Sequence, residues 1–169
     1  MKKIQELLDE IAVAVELPVG SVRLVRMAKD GRKTDINEGS VRASPLMLKP
    51  PVIDADNDIY LVTTMGGYYI AWFRLRQLPG CCAFCLSTGA HVDHQFQRKG
   101  VNKIAMRLRE HIAEWAGYSA IICTDIESNH AQRKSLAANG WQDIFSVVNK
   151  RTGNNVIVSV KKLNPTENL

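Results

Sequence analysis

The sequence predicts an α/β protein of the α+β type, in which a single mixed, mostly antiparallel sheet is flanked by helices. Three observations indicate this class. The β-rich runs 58–64, 68–75 and 82–92 follow one another with only glycine-containing turns between them, which is typical of antiparallel strands. A strongly amphipathic helix comes next. The short apolar run 120–124 after it is typical of a buried strand reached by a parallel crossover.

The helix after these strands is the most regular periodic segment of the chain, and Gly117 ends it. Its apolar stripe consists of Val101, Ile104, Ala105, Leu108, Ile112 and Trp115. The charged residues predicted to lie off that stripe are Lys103, Arg107, Glu110 and Glu114. Apolar spacing and turn residues predict the other elements: a helix at 2–16, a strand at 22–27, a loop-like segment at 34–51, a helix at 130–138, and a hairpin of strands at 141–149 and 155–162.

Composition and charge limit the function classes. Apolar residues make up 46% of the 169 residues and charged residues 23%, which is typical of a soluble globular protein. The longest apolar runs are far too short for a membrane span. The N-terminus carries acidic residues where a signal peptide needs its apolar core, so we expect a cytoplasmic protein with no membrane partner. A net charge of +5 suits a polyanionic partner, either nucleic acid or a phosphorylated cofactor, although it also serves solubility alone.

Two cysteines and two histidines have a spacing that invites a zinc interpretation, namely Cys82, Cys85, His91 and His94. Zinc sites of this ligand type need a longer segment between the two pairs. The residues also lie in a predicted strand, where positions three apart point to opposite faces. We therefore predict no metal, and we interpret the cysteines as reduced thiols of a cytosolic protein.

The polar loop before the amphipathic helix has the chemistry of an anion site. Arg98 and Lys99 stand immediately before the helix, where acidic residues are usually favoured. The first amides of a helix lack internal acceptors, so they bind anions readily. Gly100 would let a phosphate approach the backbone closely. The loop therefore predicts a pyrophosphate-binding site, unless its basic residues are merely solvated.

The same loop resembles a motif of the GNAT superfamily, the acyl-CoA-dependent N-acetyltransferases. Residues 97–102, Gln-Arg-Lys-Gly-Val-Asn, are similar to its Q/R-x-x-G-x-G/A loop, except that Asn102 replaces a small residue. Downstream, the family's asparagine-plus-helix motif is matched by Asn129, Ala131, Leu136, Gly140 and Trp141. The resemblance covers about 56–163 of a single predicted domain, 1–169. Within that domain, 1–55 would supply the first helix and a substrate-side region.

The resemblance implies a coenzyme A site. The amides of 98–103 would hold the pyrophosphate. The end of the strand before the loop would bind the pantetheine arm, in a split between that strand and 120–124. Asn129 would bond the pantetheine or position the helix that covers it. The implied cofactor-binding residues are Ala90, His91, Val92, Gln97, Arg98, Lys99, Gly100, Val101, Asn102, Lys103 and Asn129.

The implied activity is transfer of an acetyl group from acetyl-CoA to a primary amine, by direct attack in a ternary complex. The family's usual strand glutamate or histidine is replaced here by Leu86 or Thr88, and its helix tyrosine by Leu136. The candidate catalytic residues are instead His91, Asp125, Glu127 and Ser135. Of these, His91 suits base catalysis because imidazole titrates near neutral pH. The strand amide of Val92 is implied as the donor to the thioester carbonyl.

Two other functions remain open at this stage. The missing acid and base favour a catalytically silent acyl-CoA-binding module. The basic residues Arg98, Lys99, Lys103, Arg107 and Arg109 favour a nucleic-acid-binding protein. The amine acceptor is not readable: a small molecule, a protein amine and a modified nucleic acid are all compatible, and so is a homodimer. We expect the acceptor site to be built from the N-terminal region and the final hairpin.

Overall fold

The computed structural model describes residues 2–28, 30–36 and 58–164 of the chain. Its helices are α1 (Lys2–Ala14), α2 (Val101–Trp115) and α3 (His130–Ala138). Its strands are β1 (Val22–Met27), β2 (Lys33–Asp35), β3 (Asp58–Thr64), β4 (Tyr69–Leu78), β5 (Cys81–Val92), β6 (Ala120–Ile126), β7 (Gln142–Val148) and β8 (Asn155–Lys162). A short 3₁₀ helix, His94–Phe96, lies between β5 and α2.

All eight described strands belong to one sheet, in the order β2-β1-β3-β4-β5-β6-β8-β7. Neighbouring strands are antiparallel except β5 and β6, which are parallel and are joined by α2. The predicted fold class and the single parallel crossover are therefore confirmed. In the sheet β8 lies between β6 and β7. This strand order was not predicted from the sequence.

The first helix is shorter than predicted, and one short strand was missed. Helix α1 ends at Ala14 because Glu16 adopts a left-handed conformation, with φ of 61°. The Leu17 N–H then donates to the Ala12 carbonyl at 2.8 Å, which closes the last turn. Strand β2 lies at the start of the segment predicted to be a loop, most of which falls outside the described residues. None of the described helices combines the length and apolar character that a membrane span requires.

The core forms where α1 and α2 pack against each other and against the strands. Helix α1 contributes Leu8 and Ile11, and α2 contributes Leu108, all with no exposed side-chain surface. The rings of Tyr60 and Phe73 stack beneath them with centroids 5.3 Å apart. Burial of such side chains is the main source of stability for a sheet covered by helices.

The charged residue Glu110 of α2 is buried, contrary to the prediction that it lies off the apolar stripe. Glu110 is only 7% exposed. Its carboxylate accepts hydrogen bonds from Trp141 Nε1 at 2.7 Å and from Lys161 Nζ at 2.6 Å. The helical spacing did not reveal this position because its partners come from the segment after α3 and from β8. Buried carboxylates are tolerated when they are paired in this way.

We expect Glu110→Ala to lower the free energy of unfolding by about 2 to 3 kcal/mol, because it leaves the Trp141 N–H without its acceptor and Lys161 without its counter-charge. Urea denaturation followed by circular dichroism measures this change. Glu114→Ala on the same helix is the control, and its effect should stay within about 0.5 kcal/mol. Equal losses for the two variants would contradict the assigned role of Glu110.

Candidate active site

A split between the two parallel strands opens a cleft. Strands β5 and β6 pair over only four residues each, and the last pair is Ser87 with Cys123. Beyond that pair, residues 89–92 of β5 remain paired with β4, whereas 124–126 of β6 pair with β8. The free length of β5 is roughly 16 Å at the rise of an extended strand. The result is a cavity of about 390 Å³ between the two halves of the sheet.

A β-bulge lies at the point where the split begins. Leu75 pairs with Ser87 and Arg74 pairs with Gly89, so Thr88 has no partner on β4. Such an extra residue shifts the alternation of side chains along the strand. After the bulge, Ala90 shares the face of the buried Phe73, with which it pairs.

The cleft brings together many of the predicted residues and several that were not predicted. The predicted residues that line it are Ala90, His91, Val92, Gln97, Asn102, Asp125 and Asn129. Those not predicted as site residues are Ser87, Thr88, Gly89, Arg109, Cys123, Thr124, Gln132, Leu136 and Trp141. The strand residues among them follow from the position of the split, which the family resemblance already implied.

The loop before α2 presents main-chain donors. Arg98 and Gly100 have left-handed φ values of 63° and 82°. Within the described part of the chain, the N–H groups of 98–102 donate to no backbone or side-chain acceptor. The Lys103 N–H was also predicted to hold the pyrophosphate, but it already donates to the Gly100 carbonyl at 3.1 Å. Lys99 Nζ lies 3.8 Å from the Glu16 carboxylate. The loop thus keeps unpaired donors where an anion is predicted.

Two amide side chains fix the loop relative to the strand and to α3. Gln97 Nε2 donates to the Val92 carbonyl at 3.1 Å. Asn102 Nδ2 donates to Gln132 Oε1 at 2.9 Å and so joins the start of α2 to α3 across the cleft. This bond gives a physical reason for asparagine at a position where the motif has a small residue.

Asn129 caps α3. Its Oδ1 accepts from the Gln132 N–H at 3.3 Å, and its Nδ2 donates to Asp125 Oδ1 at 3.1 Å. A capping asparagine satisfies a first-turn amide and fixes where a helix begins. Both ends of this side chain are therefore engaged in positioning the helix beside the cleft.

Asp125 stands at the mouth of the cleft with part of its carboxylate enclosed. Its Oδ1 accepts from the Ile126 N–H at 2.9 Å as well as from Asn129, while its Oδ2 is buried without a partner among the described residues. Burial raises the pKa of Asp125 above its ordinary value, and the bond from Asn129 partly opposes the shift. A carboxylate with a raised pKa is better suited to accept a proton than an ordinary one.

The raised pKa of Asp125 predicts a pH-dependent effect of Asp125→Asn. Since the folded-state pKa is above the unfolded one, the carboxylate lowers stability above the folded pKa, and this penalty disappears as pH falls toward 3.8. We therefore expect Asp125→Asn to raise the free energy of unfolding at pH 7 and to lose that advantage near pH 4. Urea denaturation at the two pH values measures it. A variant that is less stable than wild type at pH 7 contradicts the assignment.

Two candidate catalytic residues do not line the cleft. Glu127 is exposed, and its carboxylate accepts from Asn155 Nδ2 at 2.9 Å. On α3 it is Leu136, only 3% exposed, that faces the cavity, and its neighbour Ser135 does not line it. Adjacent helical positions point about 100° apart, and the orientation of α3 that turns Leu136 toward the cleft turns Ser135 away from it.

His91 lies between the cleft and a second cavity of about 390 Å³, since it lines both. It pairs with Trp72 of β4, and the two ring centroids are 6.2 Å apart. The second cavity has apolar walls from β1, β3 and β4, with Arg74 and Asp93 at its polar positions. On the same strand Phe73 belongs to the core, whereas Trp72 lines this cavity. The described lining of this cavity contains no residue of the final hairpin.

Two of the basic residues that favoured nucleic-acid binding have other partners or surroundings in the structure. Arg107 Nη1 and Nη2 donate to the Glu10 carboxylate of α1 at 2.6 and 3.2 Å. Arg109 is only 6% exposed. Of the five basic residues that favoured nucleic-acid binding, Arg107 is thus paired with a carboxylate and Arg109 is enclosed.

Among the described residues, no three His, Cys, Asp or Glu side chains are grouped suitably to hold a metal ion. Cys85 is fully buried, whereas His94 lies on the surface. Burial raises the pKa of the Cys85 and Cys123 thiols to about 12 each, which keeps both protonated at neutral pH.

Comparison with known proteins identifies the fold. No protein-family model matches the chain, and no curated protein sequence matches it. Among solved structures, the IAA acetyltransferase of Bacillus cereus aligns over 85% of this chain and 100% of its own, with a TM-score of 0.58 and 15% identity. A structure from Desulfovibrio desulfuricans assigned to the GNAT acetyltransferases aligns over 63% of this chain and 68% of its own, with a TM-score of 0.57 and 11% identity.

A third similar structure, RimJ of Mycobacterium smegmatis, is a complex with CoA-disulfide. It aligns over 63% of this chain and 53% of its own length, with a TM-score of 0.53 and 14% identity. The chain therefore has the fold of the GNAT N-acetyltransferases. The resemblance seen in the loop and asparagine motifs is confirmed at the level of the fold.

Proposed function

We propose that this protein is an N-acetyltransferase that transfers an acetyl group from acetyl-CoA to a primary amine, by direct attack in a ternary complex. The observation that carries the proposal is the split between β5 and β6, with unpaired loop amides at its outer end and His91 at its boundary with a second cavity. The acetyl group of acetyl-CoA held in the cleft and an amine held in the second cavity would meet at this boundary.

The residues of the cleft fit coenzyme A chemistry. The free N–H groups of 98–102 offer hydrogen bonds to a pyrophosphate, and Arg98 adds positive charge beside them. The free edge of β5 from Thr88 onward offers main-chain groups to the amide-containing pantetheine arm. Neither interaction requires a metal ion.

The second cavity, where the amine acceptor would bind, combines an apolar wall with charged residues. Arg74 stacks over the Trp72 ring, with its Cζ 5.3 Å from the ring centroid. Asp93 Oδ1 accepts from the Gln95 N–H at 3.1 Å and lies 3.3 Å from His94 Nδ1. An amine entering from this side must lose its proton before it attacks, and His91 is the residue positioned to accept that proton directly or through water.

Two measurements test the proposal. Acetyl-CoA should raise the melting temperature, because a ligand that binds the native state stabilises it by mass action. Release of free thiol in the presence of a panel of amines should then reveal turnover. Stabilisation without thiol release for any amine would favour the catalytically silent acyl-CoA-binding module. Leu136 supports this alternative, because it places an apolar side chain in the cleft. Absence of any stabilisation would refute both functions.

A further inference from the structure

The cleft contains a cation that the proposed chemistry has not yet used. Arg109 of α2 is 6% exposed and lines the cavity. Its Nη1 donates to the Ser87 hydroxyl at 3.1 Å. Its Nε and Nη2 are buried and have no hydrogen-bond partner among the described residues. A buried guanidinium that makes a single bond to a neutral hydroxyl leaves most of its donors unsatisfied.

Arg109 also forms no ion pair with a carboxylate among the described residues, although the nearby charge of Glu110 partly offsets the lowering of its guanidinium pKa by burial. Its neighbour Glu110 already binds Lys161 and Trp141. Cys123, which lines the same cavity, is a neutral thiol because burial raises its pKa to about 12. Burial lowers the pKa of Arg109, but guanidinium groups remain protonated in proteins. An enclosed cation that no described carboxylate contacts directly is costly, which favours an anionic partner at this point of the cleft.

The position of this cation indicates which anion it meets. Ser87, to which it is bonded, forms with Cys123 the last pair before the strands diverge, so Arg109 marks the inner end of the cleft. If the pantetheine arm runs inward along β5 from the pyrophosphate loop, as the proposed function requires, its sulfur arrives at this end. We propose that Arg109 is a catalytic residue that binds the thiolate sulfur of coenzyme A as it leaves. This inference rests on the proposed function.

Atoms and electrons balance in this reaction. The neutral amine nitrogen attacks the thioester carbonyl carbon, a C–N bond forms, and the amine proton passes to His91 or to water. The C–S bond then breaks, and its electron pair stays on sulfur as a thiolate. The Nε and Nη2 donors of Arg109, which have no partner among the described residues, would bind that sulfur. The guanidinium thus stabilises charge that exists only late in the reaction, where stabilisation accelerates it.

Stabilisation of the thiolate by Arg109 would compensate for the proton donor of the family that is missing here. Leu136 stands where the family's tyrosine would protonate the thiolate, and its side chain offers no proton. A permanent positive charge stabilises a thiolate without any transfer of a proton. Arg109 approaches the same end of the cleft from α2 rather than from α3.

The test needs no knowledge of the acceptor. Titration calorimetry compares coenzyme A with desulfo-coenzyme A, which lacks the thiol, between pH 6 and pH 9. If Arg109 lowers the pKa of the bound thiol, wild-type affinity for coenzyme A rises with pH relative to the desulfo compound, by about 10-fold for each pH unit by which that pKa falls on binding. Arg109→Met should abolish this rise and leave desulfo-coenzyme A binding within about 3-fold of wild type, whereas Arg109→Lys should retain part of it.

The outcomes are distinct. If neither compound binds wild type, the proposed function itself fails. If both bind with the same pH dependence, the thiolate role is overturned while coenzyme A binding stands, and this comparison needs no variant to fold. If succinyl-CoA binds wild type at least about 10-fold more tightly than acetyl-CoA, and Arg109→Met removes the difference, Arg109 recognises a carboxylate on the acyl chain instead. That result also overturns the thiolate role.

Discussion

Gly100→Glu should abolish coenzyme A binding, with a loss of affinity of at least about 100-fold by titration calorimetry. Gly100 has a φ of 82°, and a Cβ added there would meet nothing within 4 Å of the protein itself. The new carboxylate would therefore lie in open space beside the unpaired amides of the loop. It would occupy the anion-binding donors and repel the incoming pyrophosphate.

Gly31→Glu is the matched control for this prediction. Gly31 has a φ of 81° and equally open surroundings, but it lies in the turn between β1 and β2, away from the loop. Both variants place a side chain in the left-handed region, which costs about 1 to 2 kcal/mol of stability. Only the loop variant should lose the ligand. If Gly100→Glu binds coenzyme A as tightly as wild type, the pyrophosphate site is assigned to the wrong loop.

The second large effect is expected at the boundary of the two cavities. His91→Ala should lower kcat/KM for the best amine by about 100-fold, the lower end of the range for loss of a general base. Its coenzyme A affinity should stay within about 3-fold, because a strand residue contributes to ligand binding mainly through its main chain. The rate at several pH values, combined with calorimetry, separates the two quantities.

His94→Ala is the control for this variant, since His94 lies three residues further along on the surface and lines neither cavity. Its activity should match wild type. If His91→Ala retains full activity while Asp125→Asn loses it, the proton acceptor is the carboxylate at the mouth of the cleft rather than the imidazole. Full activity of both variants would indicate that ordered water alone removes the amine proton.

Much of the fold could be predicted because its elements have strong local signals. Strand β1, helix α3 and strand β8 have the predicted bounds, since turn residues or apolar periodicity delimit each of them. The parallel crossover followed from an amphipathic helix between two apolar runs. Strand β2 is three residues long, too short for alternation to be detected. The place of β8 inside the sheet depends on long-range pairing, which local pattern does not encode.

The site was less predictable because its side chains depend on tertiary contacts. Arg109 was grouped with the surface cations of α2, yet it falls four residues after Ala105 and three before Ile112, on the buried side of the helix. That spacing was the available signal, because a charged residue among buried apolar positions indicates a functional or paired group. To predict that Ser135 lies away from the cleft, one would need the rotation of α3 about its own axis. The sequence alone does not specify that rotation.

The β-bulge at Thr88 decides which face of β5 each of the following side chains occupies. Without it, ordinary alternation from Ser87 would turn His91 toward α2 and send Ala90 and Val92 to the side of Trp72. A deletion or insertion of one residue between Ser87 and His91 would therefore exchange the two sets of side chains. We therefore expect the number of residues in this segment to constrain the protein more tightly than the identity of the bulged residue.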